Sequence, residues 1–324
     1  MRILITGGAG FLGGSLARTL ADRGRLTGPS GREEAIDELV LFDQTATASA
    51  PEGPRVVSGD IRDPDVLARL FERDFDSVFH LAAVVSAGAE ADFDLGLTVN
   101  FDGTRGLMER IRRQQRPPRM VFTSSIAVFG GDLPAVIRDD TPATPQGSYG
   151  AQKAMCELLL NDATRKGFLD VRTLRLPTIV VRPGRPNKAA SSFASSIIRE
   201  PLAGEPAVCP VDPGIEMWIQ SPRQAVRSFV HAHELDGAAL GANRVLNLPG
   251  LTVSVEEMVA ALGRAGGDTG LVRWERDESI NRLVTTWPGR FDPQRALALG
   301  FEGDAGIDDI IRAYQQDWGA GAGA

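Results

Sequence analysis

Tyr149 and Lys153 lie four residues apart in SYGAQKAMCELLL, Ser125 sits in VFTSSIAVFG, and Gly7, Gly10 and Gly13 recur at every third position of ILITGGAGFLGG. Each set implies a chemistry. Residues four apart on a helix share one face, one turn from each other. A phenol with a pKa of about 10 is a poor base at neutral pH. A nearby ammonium favours its ionised form, so Lys153 is expected to lower the pKa of Tyr149. A tyrosine tuned in this way can take the proton of a hydroxyl while hydride leaves the same carbon. The hydroxyl of Ser125 can hold the reacting oxygen and stabilise its developing charge. Tyr-x-x-x-Lys is a weak signal alone, since any helix can contain it by chance. The chain has only two tyrosines, Tyr149 and Tyr314, which makes chance placement harder.

The glycine run completes the reading. Gly7 permits a tight turn after a strand, Gly10 lets backbone approach a pyrophosphate, and Gly13 lets the following helix pack closely. Phosphates then meet free N–H groups at the positive end of the helix dipole. Phe11 and Leu12 open that helix and count with the glycines as cofactor contacts. LVLFD ends in Asp43, whose carboxylate can accept from both adenosine ribose hydroxyls and would repel a 2′-phosphate. No basic residue follows at Gln44, Thr45 or Ala46, so NAD is expected over NADP. In GDIRD, Asp60 and Ile61 are placed to bracket the adenine with one polar and one apolar contact. In FHLAA, Leu81, Ala82 and Ala83 let a dinucleotide lie against the sheet edge. Tyr149 and Lys153 also count as cofactor contacts, because the lysine can reach the nicotinamide ribose.

Elements must position these residues. Short apolar runs at 2–5, 38–42, 55–57, 77–81, 120–123 and 171–176 read as strands, and helical patterns cover 12–22, 64–73, a stretch leading to 113, and 149–166. Strands alternating with helices need crossovers, so the fold class is α/β, a Rossmann doubly wound parallel sheet with both faces covered. This cofactor domain is expected over 1–176 with a return segment at about 223–245. A smaller, mostly C-terminal substrate lobe is expected over 177–222 and 246–318, with helices near 191–203, 255–265 and 307–318. The connector 23–37 reads as a surface loop, and the low-complexity tail 319–324 as disordered.

Composition bounds the rest. The chain has 324 residues, 43% hydrophobic and 24% charged, which is ordinary for a globular protein. A net charge of −7 argues against nucleic acid as a partner. Cys156 and Cys209 are far apart and near no other ligand cluster, so reduced thiols are expected, with neither disulfide nor metal. MRILITGGAG does not read as a signal peptide and no apolar run has membrane-spanning length. A cytoplasmic enzyme without membrane partners fits these features.

TGGAGFLG, LVLFD, GDIRD, FHLAA, TVNFDGT, TSSIAVFG and YGAQK together resemble the extended short-chain dehydrogenase/reductase family, best known for nucleotide-sugar epimerases and dehydratases. The resemblance implies that Ser125, Tyr149 and Lys153 are catalytic, with Ser125 rather than Ser124 in the site because it directly precedes IAVFG. It implies that Asn100 supports the active site from a neighbouring helix. It also implies a homodimer formed through two helices per subunit, one of them carrying Tyr149. Pro177 is counted among the cofactor contacts and Thr178 among the substrate contacts.

The later half departs from the nucleotide-sugar pattern. An Asn is usual near Thr178, and an Arg-Asp-Phe/Trp-x-x-Val-x-Asp run is usual further on. Here that run reads EMWIQSPRQAV: Glu216 falls where the Arg is expected, and Pro222 and Arg223 where the acidic pair is expected. A carboxylate facing a diphosphate would oppose binding. Arg182, Arg185 and Asn187 cluster in a proline-rich loop at the carboxyl end of the sheet, where ligands bind in such folds. An arginine there can clamp a carboxylate. The connector GRLTG, SPRQAV, LNLPGLTVSVEEMVAAL and TTWPGRFDPQRALALGF resemble sugar-acid dehydrogenases of the same family. That resemblance implies NAD-dependent oxidation of a four-carbon sugar acid at C2, giving a 2-oxo acid. The alternatives are a nucleotide-sugar epimerase or dehydratase and, from another class, a dinucleotide sensor without turnover. Retention of both Tyr149 and Lys153 speaks against the sensor.

Overall fold

In the computed structural model, which describes residues 1–45, 53–184 and 190–319, the glycine run joins a wholly buried strand to a helix. Strand β1 (Arg2–Thr6) feeds helix α1 (Phe11–Arg23), which ends on Gly24 in the left-handed conformation. The expected surface loop at 23–37 is instead an antiparallel hairpin, β2 (Arg25–Thr27) with β3 (Glu33–Ala35). Leu26 sits fully buried in the core beside α1 and α8, and polar contacts hold the rest. Buried Arg119 donates to the Thr27 carbonyl at 3.1 Å, and Glu234 accepts from Arg23 at 2.7 Å. A composition of Gly, Pro and Ser concealed this, because the stabilising partners are remote in sequence.

Next come β4 (Glu38–Asp43), β5 (Arg55–Ser58) and α2 (Pro64–Leu70). The side chain of Asp63 caps α2 on the N–H groups of Asp65 and Val66, with Pro64 in the first turn. The helix stops before its expected end at 73, and Phe71 turns to meet Phe75 edge to face. Strand β6 (Ser77–His80) is followed not by one helix but by α3 (Ser86–Ala91), α4 (Phe93–Gly96), a π-helical turn at Leu97–Asp102 and α5 (Gly103–Ile111). Asp92 restarts the helix by accepting from Leu95 N, and the wider π turn carries Asn100 inward. The half then closes with β7 (Arg119–Ser125), β8 (Ile137–Arg138), α6 (Ser148–Arg165) and β9 (Asp170–Leu176).

The second half contains β10 (Thr178–Ile179), α7 (Ser192–Leu202), β11 (Ala207–Cys209), β12 (Glu216–Gln220), α8 (Pro222–Glu234), α9 (Gly237–Leu240), β13 (Val245–Asn247), β14 (Leu251–Ser254) and α10 (Val255–Arg264). It ends with β15 (Val272–Trp274), α11 (Glu278–Thr285), β16 (Phe291–Asp292), α12 (Gln294–Ala298) and α13 (Ile307–Trp318).

Seven strands form one parallel sheet in the order β13-β9-β7-β6-β1-β4-β5. The chain builds outward from β1 to β5, then crosses to β6 on the other side of β1. Ligands bind in such sheets at this reversal, outside the carboxyl ends of the strands. One face is covered by α1 and α8, the other by α2, α5 and α6. The return segment reaches Asn247 in β13, and Ala296 and Phe301 also join the α1/α8 core. A separate core around Ile197, Met217, Met258 and Ile310 holds the second lobe. No helix among the described residues is long and apolar enough to cross a membrane.

Close approach at the glycine turn is severe. A side-chain carbon at Gly13 would lie 2.1 Å from the carbonyl oxygen of Gly7, a backbone atom that cannot swing aside. At Gly14 the nearest atoms would be 3.9 Å away. Gly13→Ala is therefore expected to lose at least about 2 kcal/mol of stability in chemical denaturation, as overpacking does. Gly14→Ala is expected to gain up to about 1 kcal/mol from helix propensity. The reverse order of the two variants would contradict this account of the turn.

Candidate active site

Helix α6 presents Gly150, Gln152, Lys153, Cys156, Glu157 and Leu160 to the protein interior. Its N-cap, Gly147, has no side chain, and Glu90 supplies the missing acceptor to Ser148 N at 2.9 Å. A side chain at Gly150 would collide with the carbonyl of Ala127, so this first turn lies directly on the segment that follows β7. The packing brings Tyr149 over the end of β7, where the Ser125 hydroxyl is close enough to favour the charged form of the phenol. Ser125 also accepts from Ala127 N at 3.1 Å. The adjacent Ser124 is turned away and donates to Glu157 Oε1 at 2.5 Å.

Lys153 is 2% exposed and donates from Nζ to the Thr123 carbonyl at 2.8 Å. Its ammonium lies 4.7 Å from the Phe122 ring centre and 5.7 Å from that of Tyr149. Burial pulls the Lys153 pKa down to about 8, against the neighbouring Cys156 and Glu157. Removal from water pushes the phenol of Tyr149 up to about 12. What draws it back is the Ser125 hydrogen bond and the Arg182 guanidinium. The helical spacing predicts that Lys153 lowers the Tyr149 pKa; in the structure its Nζ is held on the Thr123 carbonyl, and burial of the phenol outweighs the groups that favour its charged form.

On the other side of the sheet reversal lies the glycine turn. Gly7 has φ 72°, and Gly10 caps α1 with no side-chain acceptor and no acidic residue in the first turn, where Phe11, Leu12 and Gly13 follow. A side chain at Gly7 would strike the backbone of Leu81 and Ala82, so the turn and the end of β6 are in contact, with Ala83 next in the chain. Asp43 reaches over the turn and accepts from Ala9 N at 3.0 Å. A helix start without its own cap, under a fixed carboxylate, fits a dinucleotide: the free N–H groups suit its phosphates, and Asp43 suits a ribose diol. Asp60 is paired with Arg62 at 2.6 Å, which holds its pKa low. Ile61 is 7% exposed and packs with Phe42 and Leu67.

Asn100 is 2% exposed; its Oδ1 accepts from Val84 N at 2.8 Å and its Nδ2 donates to Val84 O at 3.0 Å and Gln152 Oε1 at 2.7 Å. It thereby ties the chain after Ala83 to α6. Beneath it, buried His80 bonds Thr6 Oγ1 at 2.6 Å and Thr104 Oγ1 at 2.8 Å. Thr104 Oγ1 also lies 2.6 Å from the Asn100 carbonyl, which can only accept, so Thr104 accepts from His80 and Nε2 carries the proton. Burial, with Lys153 nearby, drives the His80 pKa down to about 3, so the ring is neutral. Sequence reasoning passed over His80, Gln152, Glu157 and Arg175. The available signal was on α6, where Gln152 and Glu157 share the inward face with Lys153 and Cys156.

Pro177 is buried and Thr178 half-buried beside it, in a narrow cleft with Ile126, Glu216, Trp218 and Trp287. Arg182 is half-buried; its backbone N–H donates to Ser195 Oγ at 3.0 Å and its Nη2 to Ser191 Oγ at 3.1 Å. It has no carboxylate partner among the described residues, and its charge is felt at Tyr149. Arg185 and Asn187 lie outside the described residues. Glu216 is not a free carboxylate: Arg290 clamps it with two bonds of 2.6 Å. Arg223 is likewise held by Asp317, at 2.5 Å.

Lys153 makes stability depend on pH. Its folded pKa is depressed, so between about 8 and 10.5 the unfolded chain holds the extra proton and folding becomes more favourable as pH rises. The stability of the native chain relative to Lys153→Met should climb by roughly 3 kcal/mol across that window in chemical denaturation. A flat difference would mean that the ammonium is not buried as described.

Residues 3–241 match the NAD dependent epimerase/dehydratase family. The chain is 54% identical over 322 residues to a Cupriavidus necator protein named D-erythronate dehydrogenase, covering 98% of this chain and 99% of that relative. It is 46% identical over 318 residues to a Haemophilus influenzae protein of the same name, covering 97% and 98%. Among solved structures, a nucleoside-diphosphate-sugar epimerase from Agrobacterium tumefaciens superposes with a TM-score of 0.92 at 42% identity, covering 98% of this chain and 94% of that one. Fold, glycine turn and a match across most of the chain agree: this protein belongs to the NAD dependent epimerase/dehydratase family.

Proposed function

We propose that the protein is an NAD-dependent dehydrogenase that oxidises the C2 hydroxyl of D-erythronate to 2-oxo-tetronate (2-dehydro-D-erythronate). Near full-length likeness to two relatives named D-erythronate dehydrogenase carries the reading. The site gives it a physical form. A 2-hydroxy acid has its carboxylate on the carbon next to the reacting one, and Arg182 is a cation without a carboxylate partner among the described residues, close enough to act on Tyr149. The glycine turn and Asp43 would hold NAD, which supplies the hydride acceptor. Ser125 and Tyr149 hold the C2 oxygen, Tyr149 takes its proton, and Arg182 orients the carboxylate. Lys153 holds a positive charge beneath the site from its fixed place on Thr123.

The second reading is a nucleotide-sugar epimerase or dehydratase, favoured by the Agrobacterium tumefaciens structure described as a nucleoside-diphosphate-sugar epimerase. It is the weaker one. Arg290, beside the position where a diphosphate-binding arginine is usual, is already consumed by Glu216. A homodimer is part of the proposal, supported by Leu158 and Met155, 74% and 37% exposed on the outer side of α6. So is a cytoplasmic location, where the free, buried thiols of Cys156 and Cys209 would stay reduced.

An NADH absorbance assay over aldonates, uronates and nucleotide sugars separates the readings. NADH formation with D-erythronate is expected. Conversion of a nucleotide sugar without net NADH release would favour the alternative. Tyr149→Phe should lower kcat by about 100- to 10,000-fold while NAD still binds. Arg182→Met should raise KM for the sugar acid by roughly 10- to 100-fold with a smaller change in kcat. Equal kcat/KM with NAD and NADP would overturn the role given to Asp43.

A further inference from the structure

Glu157 lies one turn beyond Lys153 on the inner side of α6 and is 4% exposed. Two neighbouring strands reach its carboxylate. From β7, Ser124 donates to Oε1 at 2.5 Å. From β9, Arg175 donates through Nε to Oε1 at 2.9 Å and through Nη2 to Oε2 at 2.7 Å. Ser124 and Arg175 are register partners in the parallel pair. One carboxylate therefore joins α6 to the ends of both strands. Ser125 leaves β7 at this point, and Pro177 and Thr178 follow the end of β9 on the way to Arg182.

We infer that Glu157 is a positioning residue for the reaction: it holds Ser124 and Arg175 on one carboxylate and so sets Ser125 against the hydroxyl of Tyr149. This rests on the reading of Ser125 and Tyr149 as the reacting pair. With the Ser124 hydroxyl fixed, the strand end cannot rotate, and the next residue leaves in one direction. Stability alone does not call for such a group. A buried ion pair seldom beats an apolar pair of similar volume, because desolvation of both charges offsets their attraction. Placement of the reacting groups does call for it, since a displacement of about 1 Å can cost roughly 100-fold in rate. Glu157 also contributes to holding the charge on Lys153 against burial.

The test uses the full chain. Glu157→Leu combined with Arg175→Met removes the staple without leaving either of its two partners as an unpaired charge. It should fold with a thermal midpoint within a few degrees of the native value, keep KM for NAD within about twofold, and lose about 10- to 100-fold in kcat. Ser124→Ala leaves the Glu157–Arg175 pair intact and removes only the tether, so it remains informative if the double variant does not fold. Its kcat should fall by at least about threefold. A crystal structure of Ser124→Ala should show the Ser125 hydroxyl displaced from Tyr149. Unchanged kcat in the variants that fold, a rise in KM for NAD in step with the loss of kcat, or an undisplaced Ser125 would overturn the inference. Failure of the native chain to oxidise any sugar acid would instead sink the dehydrogenase reading, and the position of Ser125 in Ser124→Ala would still decide the role of Glu157.

Discussion

The carbonyl oxygen of Gly7 occupies the space that any side chain at residue 13 would need. Much of the architecture follows from that contact. It lets α1 begin almost on the end of β1, so that uncapped N–H groups point into the crevice beside the central strand. It also sets the turn against Leu81 and Ala82, which fixes the gap between β1 and β6 where the strand order reverses. Every group assigned to chemistry lies at the carboxyl ends of the strands around this point.

On the catalytic side, the governing problem is polar burial. Lys153, Glu157, Asn100, Gln152 and His80 are all nearly inaccessible. Each needs partners, because an unpaired polar group in a low-dielectric interior is costly. His80 meets the demand by staying neutral between two threonines. Lys153 meets it with a backbone carbonyl, and Glu157 with a serine and an arginine. These requirements bind α6 to β7, β9 and the π turn, which makes the position of Tyr149 hard to vary.

The same burial alters how the tyrosine is activated. Spacing on a helix pointed to Lys153 as the tuning charge, but the lysine faces the strand carbonyl rather than the phenol oxygen. Ser125, from β7, and Arg182, from the loop after β10, favour the charged form of the phenol against its burial. In the proposed function, substrate recognition and base activation share one arginine. A carboxylate arriving at Arg182 would partly cancel the field that favours the phenolate, a coupling between binding and chemistry that follows from Coulomb's law at short range.

Local patterns determined much of this protein. Gly7, Gly10 and Gly13 announced the turn because the left-handed φ of Gly7 and the contact of Gly13 with the Gly7 carbonyl arise within one short segment. Short apolar runs and helical patterns located six strands of the seven-stranded sheet and most of its helices within a few residues. Tyr149 and Lys153 could be paired because a single helical turn connects them. Tertiary structure alone decided what depends on remote partners: the 23–37 hairpin held by Arg119 and Glu234, the broken helix before 111, and the neutralisation of Glu216 by Arg290. It also committed Ser124 to Glu157, a partner that strand periodicity cannot name, and so left Ser125, the serine already singled out by the family resemblance, beside Tyr149. Charges and hydroxyls find their partners through space at distances of a few ångströms, and chain separation of dozens of residues hides those partners from any local reading.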